Sequence, residues 1–569
     1  MAAATEEAPI DQPAADPAEI ARLAWRWAVI VAIAVGVGLR AWQYFAQASL
    51  VLDEAAVARN VLDRSVLGLL TPLDYAQVAP PGFLLLVKLA TALFGPAEWA
   101  LRLTPFIFGL AALLLFPLVA RRFLPRPAAV AATFMFAAAV PAIFYSAELK
   151  QYSGDVAAAL AVLWAVSRLL DAAPVTRRLM IALWVFGFVA LLFSDAVAFM
   201  LAASGAVLVA DAFLRGRLDR WNRIDLASGW AVEVLAAVAW GHHSMTPADR
   251  AYMHVFWAAL FVPHRLAAVG PWLTTVARGT FSGRQPGSIE SLHYPFVVFS
   301  VLFLTGVVTL FRADLTKGAL IAGPVALVLA AAAADLYPFM TRVGLFMVPL
   351  YLIAVAHGTD TVSRACLGKR AGGFGCLLLV PLSTAALLTR LPPFLSEHVR
   401  PVLQYLEAHR QPGDAIWVYY AGGQGFEYYE HVFPIAGDVQ IGDCDRQNPR
   451  GYLHQVDLER GRARVWFVFS HFGGNFHFDE RGLILGYLDA IGRKLDEFHA
   501  PPEDRSEQVA AVYLYDLADP GTLAHSSATV FPIAGKFTPA RWSCYGVASP
   551  IPSGNGAAGA VMRKAAQGS

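Results

Sequence analysis

The chain has 569 residues, 57% of them hydrophobic and 12% aromatic, with a mean hydropathy of +0.51. Charged residues make up 15% and the formal net charge is +1. These values exclude an ordinary soluble globular domain, a strongly basic nucleic-acid binder and a chain governed by an acidic tail, and they describe a polytopic membrane protein in which charge arguments must be local.

In chain order, the first 20 residues, MAAATEEAPIDQPAADPAEI, are rich in Ala, Pro and acids and contain no Lys or Arg. They are not the charged n-region of a signal peptide and read as a disordered cytoplasmic tail, residues 1–20. Between 21 and 394, apolar runs near the ~20 residues that cross a ~30 Å hydrocarbon core recur. The predicted spans are 27–46, 99–120, 127–146, 154–170, 179–194, 196–214, 226–241, 294–311, 318–334, 342–357 and 374–391. The run PPGFLLLVKLATALFG at 80–95 is short, opens on two prolines and holds Lys88 in its middle, so it is taken as interfacial or re-entrant.

Leaving out that run gives a consistent positive-inside map. Arg22 and Arg26; Arg121, Arg122 and Arg126; Arg177 and Arg178; Arg215, Arg217, Arg220 and Arg223; Arg312 and Lys317; and Arg364, Lys369 and Arg370 then share one side. The expectation is eleven spans, the N-terminus in the cytoplasm and the C-terminus outside, in the bacterial inner membrane or its equivalent. The first outer loop is 47–98. The outer loop 242–293, with Trp257, Trp272, prolines and glycines, is long enough for a lid or an interfacial helix.

Beyond residue 395 the pattern becomes soluble. IWVYY (416–420), RVWFVF (464–469) and AVYLYDL (511–517) predict strands, and ERGLILGYLDAIGRKLDEF (480–498) predicts an amphipathic helix. Residues 395–569 are therefore expected to form an extracytoplasmic α/β domain. Of the four cysteines, Cys444 and Cys544 lie in this domain, where oxidation is permitted, and a Cys444–Cys544 disulfide is predicted; Cys366 and Cys376 fall in a cytoplasmic loop and the last span. The cysteines have no zinc spacing.

The predicted topology gathers sparse polar motifs on the outer face: LDEAAVARN after span one, YSAELKQYSGD at 145–155, WGHHS at 240–244 and DLYPFMTR at 335–342. Asp53 and Glu54 suit a general base with a supporting acid, since neighbours on a helix point about 100° apart and cannot both address one atom. The plain alternative is a solvated first turn that favours the helix dipole. Lys150 and Arg342 suit neutralisation of a phosphate, or simple interfacial anchoring. Glu148, Tyr152, Asp155 and Tyr337 join them as substrate-binding candidates, Tyr337 equally suiting an aromatic belt. His242 and His243 are metal-ligand candidates, although adjacent histidines seldom share one ion. Phosphate loop, dinucleotide fingerprint and serine elbow are all absent from the sequence.

LDEAAVARN, QVAPPGFLLLVKL, FGPAEWALRLTPFIFG and FYSAELKQYS, in this order and spacing, resemble the GT-C superfamily of membrane glycosyltransferases. The likeness is to the branch of protein O-mannosyltransferases and lipid A aminoarabinose and galacturonic acid transferases; it is strongest over about 25–215 and returns at YPFMTRVGLFMVP. The resemblance implies a GT-C-like helical domain over 21–394. It also implies a sugar donor carried on polyprenyl phosphate and an acidic base in the first outer loop, which maps onto Asp53 with Glu54 as its pair. Lys150, Arg342 and Arg59 are then candidates for the donor phosphate. Where some members have a lysine before the proline pair, this chain has Ala79. Members differ in their need for a divalent metal, and none is assigned here. The acceptor implied is a hydroxyl of a lipid, glycan or protein, in an inverting transfer. A ligase of lipid-linked glycans, a transporter and a membrane scaffold are the alternatives. A transporter would carry charges deep in several spans and symmetry between halves.

Overall fold

In the computed structural model the described residues are all those outside 1–16, 172–175, 216–219, 284–288, 340–341, 369–371, 396, 436, 447, 472–477, 501–508 and 534–569. Most of the expected tail thus lies outside the described residues, and 17–20 already belong to the first helix, Pro17–Phe45.

Eight described helices are long and apolar enough to cross a bilayer: Leu23–Phe45, Leu103–Phe123, Tyr152–Asp171, Val197–Leu214, Asn222–His243, Phe296–Ala313, Leu315–Ala333 and Leu345–Leu367. A ninth crossing forms if Arg126–Ala137 and Val140–Ala147, bent by 58° against each other, are one span. The other two predicted spans coincide with shorter helices, Arg177–Phe193 and Gly373–Leu388. Run 80–95 is the 14-residue helix Pro81–Phe94, which at 1.5 Å per residue is about 21 Å long and too short to cross. It starts on Pro81, whose missing N–H costs nothing in a first turn, and stops at Gly95, φ +84°. Lys88, the odd charge in that run, donates to the carbonyls of Val61 and Arg64 at 2.7 Å, closing the C-terminal end of helix Leu52–Asp63.

The bent pair has a local cause. Pro141 opens the second half and supplies no N–H to the first, leaving carbonyls exposed where water is scarce. Arg40, 1% exposed, fills the gap by donating to Ala137 O at 3.2 Å and Phe136 O at 3.5 Å. Elsewhere the bundle closes on small residues. A β-carbon on Gly306 would stand 1.8 Å from the Ala354 carbonyl oxygen, and one on Gly358 would stand 2.0 Å from that of Leu302. The helices Phe296–Ala313 and Val348–Leu367 therefore meet backbone to backbone there.

The C-terminal domain is a five-stranded sheet: β1 (Ala415–Val418), β2 (Asp438–Ile441), β3 (Val465–Phe469), β4 (Arg493–His499) and β5 (Ala511–Asp516), in the order β2-β1-β3-β5-β4. β1 runs parallel to β2 and β3, while β5 is antiparallel to β3 and β4. The expected helix over 480–498 is corrected: it ends at Ile491, and Gly492, in extended backbone, turns the chain into β4. Its residues RKLDEFH alternate along an exposed edge strand paired to β5, so cross-strand bonding overrides the helical period. β2, four residues long, carried no readable pattern.

β1 and β3 are buried on both faces, as parallel strands covered on each side are. Trp417, Phe467 and Phe469 pack with Ile484 and Tyr487. The opposite face, with Ile416, Val418, Trp466 and Val468, forms one continuous core with Leu50, Val57, Val61 and Phe83 from the first loop and Leu101 just beyond it. The sheet domain is thereby seated on the polar loops at one end of the bundle.

Candidate active site

Helix Leu52–Asp63 carries both sequence acids in its first turn, and their fates differ as the 100° rule requires. Glu54 points inward at 1% exposure and takes a two-pronged bond from Arg102, Nε to Oε1 at 2.8 Å and Nη2 to Oε2 at 2.5 Å. Its Oε1 also accepts the Leu149 backbone N–H at 2.7 Å, and its Oε2 that of Val51 at 3.2 Å. Arg102 also donates to Ala48 O and Ser49 O, at 2.5 and 3.1 Å. Glu54 is thus fully engaged in tying the start of this helix to residues 148–150.

Asp53 is left free to face outward, with 40% of its side chain open. Arg342 Nη1 lies 3.5 Å from Asp53 Oδ2, and Trp257 holds the same guanidinium at 4.8 Å from its ring. Enclosure disfavours the Asp53 charge, but Lys150, Arg342 and His471 outweigh it and hold the carboxyl below its usual range. Burial lowers Lys150 against the pull of Asp53, while burial, Glu54 and the other neighbouring carboxylates raise Glu148 well above the carboxylate range. Lys150 Nζ donates to Gln77 Oε1 at 2.6 Å, and Gln151 Nε2 to Val78 O at 3.2 Å, which fixes residues 148–151 to the segment before the proline pair. Glu148 Oε2 and Arg342 Nε are buried with no protein partner among the described residues.

The sheet domain adds two residues that no sequence pattern announced. Glu397 receives the Leu52 N–H at 3.4 Å on Oε2 and pairs through Oε1 with His471 Nδ1 at 2.6 Å. His471 directly follows the carboxyl end of β3 with Ser470 between, the edge at which parallel sheets place their ligands. Neither residue has a recognisable spacing to Asp53; only the docking of the domains brings them there.

Other predicted residues sit apart. Arg59, six residues beyond Asp53, is about 240° further round the helix. Its guanidinium is engaged by Asp63 at 2.9 Å and by Glu427 of the sheet domain, which leaves it joining domains rather than lining the cation cluster. Tyr152 packs edge-on against Tyr145 at 5.0 Å beside the cluster. Asp155 lies one turn deeper and accepts from Ser194 Oγ at 2.6 Å. Tyr337 donates to Val343 O at 2.9 Å, bracing the segment that carries Arg342. His243 Nε2 is 2.9 Å from Leu70 O, and no metal-holding group of His, Cys, Asp and Glu occurs among the described residues. Cys444 is disulfide-bonded and Cys366 and Cys376 are free thiols; Cys544 lies outside the described residues.

The chemistry available is an ionised carboxylate flanked by fixed cations at a junction of two domains: a proton acceptor beside an anion site. A family model described as dolichyl-phosphate-mannose-protein mannosyltransferase matches residues 78–240. No curated protein matches the chain in sequence. Among solved structures, ArnT from Cupriavidus metallidurans bound to undecaprenyl phosphate is similar with a TM-score of 0.51 and 17% identity, covering 88% of this chain and 98% of that one. ArnT of the same organism in the apo state follows at 0.47 and 15%, covering 87% and 98%. The oligosaccharyltransferase AglB from Archaeoglobus fulgidus, in complex with an inhibitory peptide and a dolichol-phosphate, follows at 0.46 and 12%, covering 86% and 75%. The matched segment contains the proline pair, Arg102 and the Lys150 turn. Segment 78–240 thus matches that mannosyltransferase family model, and the fold resembles that of ArnT.

Proposed function

We propose that the protein transfers a sugar from a polyprenyl phosphate donor to a hydroxyl of a lipid, glycan or protein acceptor, at the outer face of a bacterial inner membrane. The observation that carries this reading is the meeting of Asp53 with Arg342 at 3.5 Å and with the field of Lys150, from three segments far apart in sequence. Arginine charge in the short loops supports the orientation, placing the sheet domain outside. Nucleotide sugars are absent there, so a donor carried in the membrane suits the site. The ArnT structure, with undecaprenyl phosphate bound, lends support by analogy of fold.

In the proposed step Asp53 takes the acceptor hydroxyl proton as that oxygen bonds to the anomeric carbon. The bond from that carbon to the phosphate oxygen breaks on the opposite face, its electron pair leaving with the lipid phosphate, so configuration inverts. Lys150 and Arg342 stabilise the charge that grows on the phosphate. Asp53→Asn, assayed in membrane extracts with radiolabelled polyprenyl phosphate sugars, is expected to lose ~10² to 10⁴ in turnover while expression persists. Turnover at the parent rate would discard the assignment.

A further inference from the structure

Glu397 and His471 lie 74 residues apart in the sheet domain and are held in a backbone conformation that side chains avoid. Both have left-handed φ, +51° and +52°, where non-glycine residues are rare and strain gathers at working sites. Their side chains meet at 2.6 Å, and the second Glu397 oxygen takes the N–H of Leu52, the residue directly before Asp53. A chain of two hydrogen bonds therefore runs from the imidazole to the first turn of the helix that aims Asp53.

We propose that His471, fixed by Glu397, is a positioning residue of the transfer site, through which the sheet domain braces the first turn that carries Asp53 and tunes the base. The inference rests on Asp53 as the base. It makes the base a product of both domains: the membrane part supplies the carboxylate, Lys150 and Arg342, and the sheet domain supplies His471. The groups facing this pair are known from each side. Glu397 and Asp53 favour the charged imidazole, while burial and Arg446 oppose it. Around Asp53 stand Lys150, Arg342 and His471, with Glu148, Tyr152 and Tyr252 as further neighbours that sense its charge. Burial works against the charge, but the two carboxylates outweigh it and leave His471 above its ordinary range.

The sign of the effect follows. A neighbouring cation lowers a carboxyl pKa, so removing it raises the pKa of Asp53 and moves the acidic limb of kcat/KM toward neutral pH. His471→Gln in the full-length protein, assayed with radiolabelled polyprenyl phosphate sugars across pH, is expected to shift that limb up by about one unit. Glu397→Gln, which discharges the imidazolium by withdrawing its partner, should shift it the same way. A parent-like limb in a folded His471→Gln protein overturns the role, whatever happens to the rate. A second readout needs no substrate: the ¹⁵N resonance of His471, identified by its loss in His471→Gln, is titrated in the parent and in Asp53→Asn. Linkage requires the imidazole pKa to fall by a similar amount when the carboxylate is removed; an unchanged titration overturns the coupling. The two readings fail separately. If Asp53→Asn keeps its turnover the base is wrong, whereas a dead Asp53→Asn with an unmoved His471 titration leaves the base standing and removes only His471.

Discussion

At the scale of single residues, two neighbouring acids were given different tasks by one geometric fact. Adjacency on a helix separates side chains by about 100°, so only one of Asp53 and Glu54 could reach an outward-facing substrate. The resemblance mapped the base onto Asp53 with Glu54 as its pair, and in the structure it is Glu54 that takes the fork of Arg102, 5% exposed. Breaking such a buried pair from one side leaves a bare charge, a loss of about 3–5 kcal/mol. Arg102→Met is therefore expected to lower the melting temperature in detergent sharply, while Arg102→Met with Glu54→Leu regains part of the loss. A double variant no more stable than Arg102→Met would mean the arginine acts through the Ala48 and Ser49 carbonyls alone. Lys150 and Arg342 were named because the predicted topology gathered their segments, and the structure brings both to Asp53, whereas Arg59, named from the resemblance, pairs with Asp63 and Glu427 instead. Glu397 and His471 were illegible, since their relation to Asp53 exists only across the domain junction.

At the scale of elements, hydrophobic runs were readable because a bilayer demands them, and each of the eleven expected runs falls on a helix. Boundaries were harder. The 480–498 segment keeps a helix-like pattern past its end, and the edge strand it enters is defined by a partner, β5, that follows more than ten residues later. The break in 126–147 was also hidden, because its stabiliser, Arg40, comes from another helix. Close backbone approach is the least visible feature of all. Gly306→Leu should force apart the helices Phe296–Ala313 and Val348–Leu367, since no rotamer moves a β-carbon away from the Ala354 carbonyl. An overpacking loss of about 1–3 kcal/mol is expected as a lower melting temperature. A variant melting with the parent would show that the two helices slide freely.

At the scale of the whole molecule, the sheet domain owns the core on only one of its faces. On the other, Ile416, Val418, Trp466 and Leu403 share one apolar cluster with Val57 and Phe83 of the first loop and with Leu101 just beyond it. Polar ties repeat the message: Arg400 with Glu98 at 3.1 Å, Tyr429 with Glu98 at 2.9 Å and Tyr428 with Pro96 O at 2.7 Å. Composition changes near residue 395 from an apolar to a soluble pattern, but it could not show that the two parts interlock. Expressed without the bundle, the C-terminal part should expose that cluster, bind a hydrophobic dye and be cut readily by protease. A protease-resistant, dye-silent fragment would establish an autonomous fold.

That shared cluster also orders events during synthesis. Ser49 meets His398, a partner 349 positions downstream, so the first loop waits, greasy side uncovered, while nearly the whole bundle is threaded into the bilayer. A chain that stops before residue 398 would leave that apolar surface of the first loop uncovered.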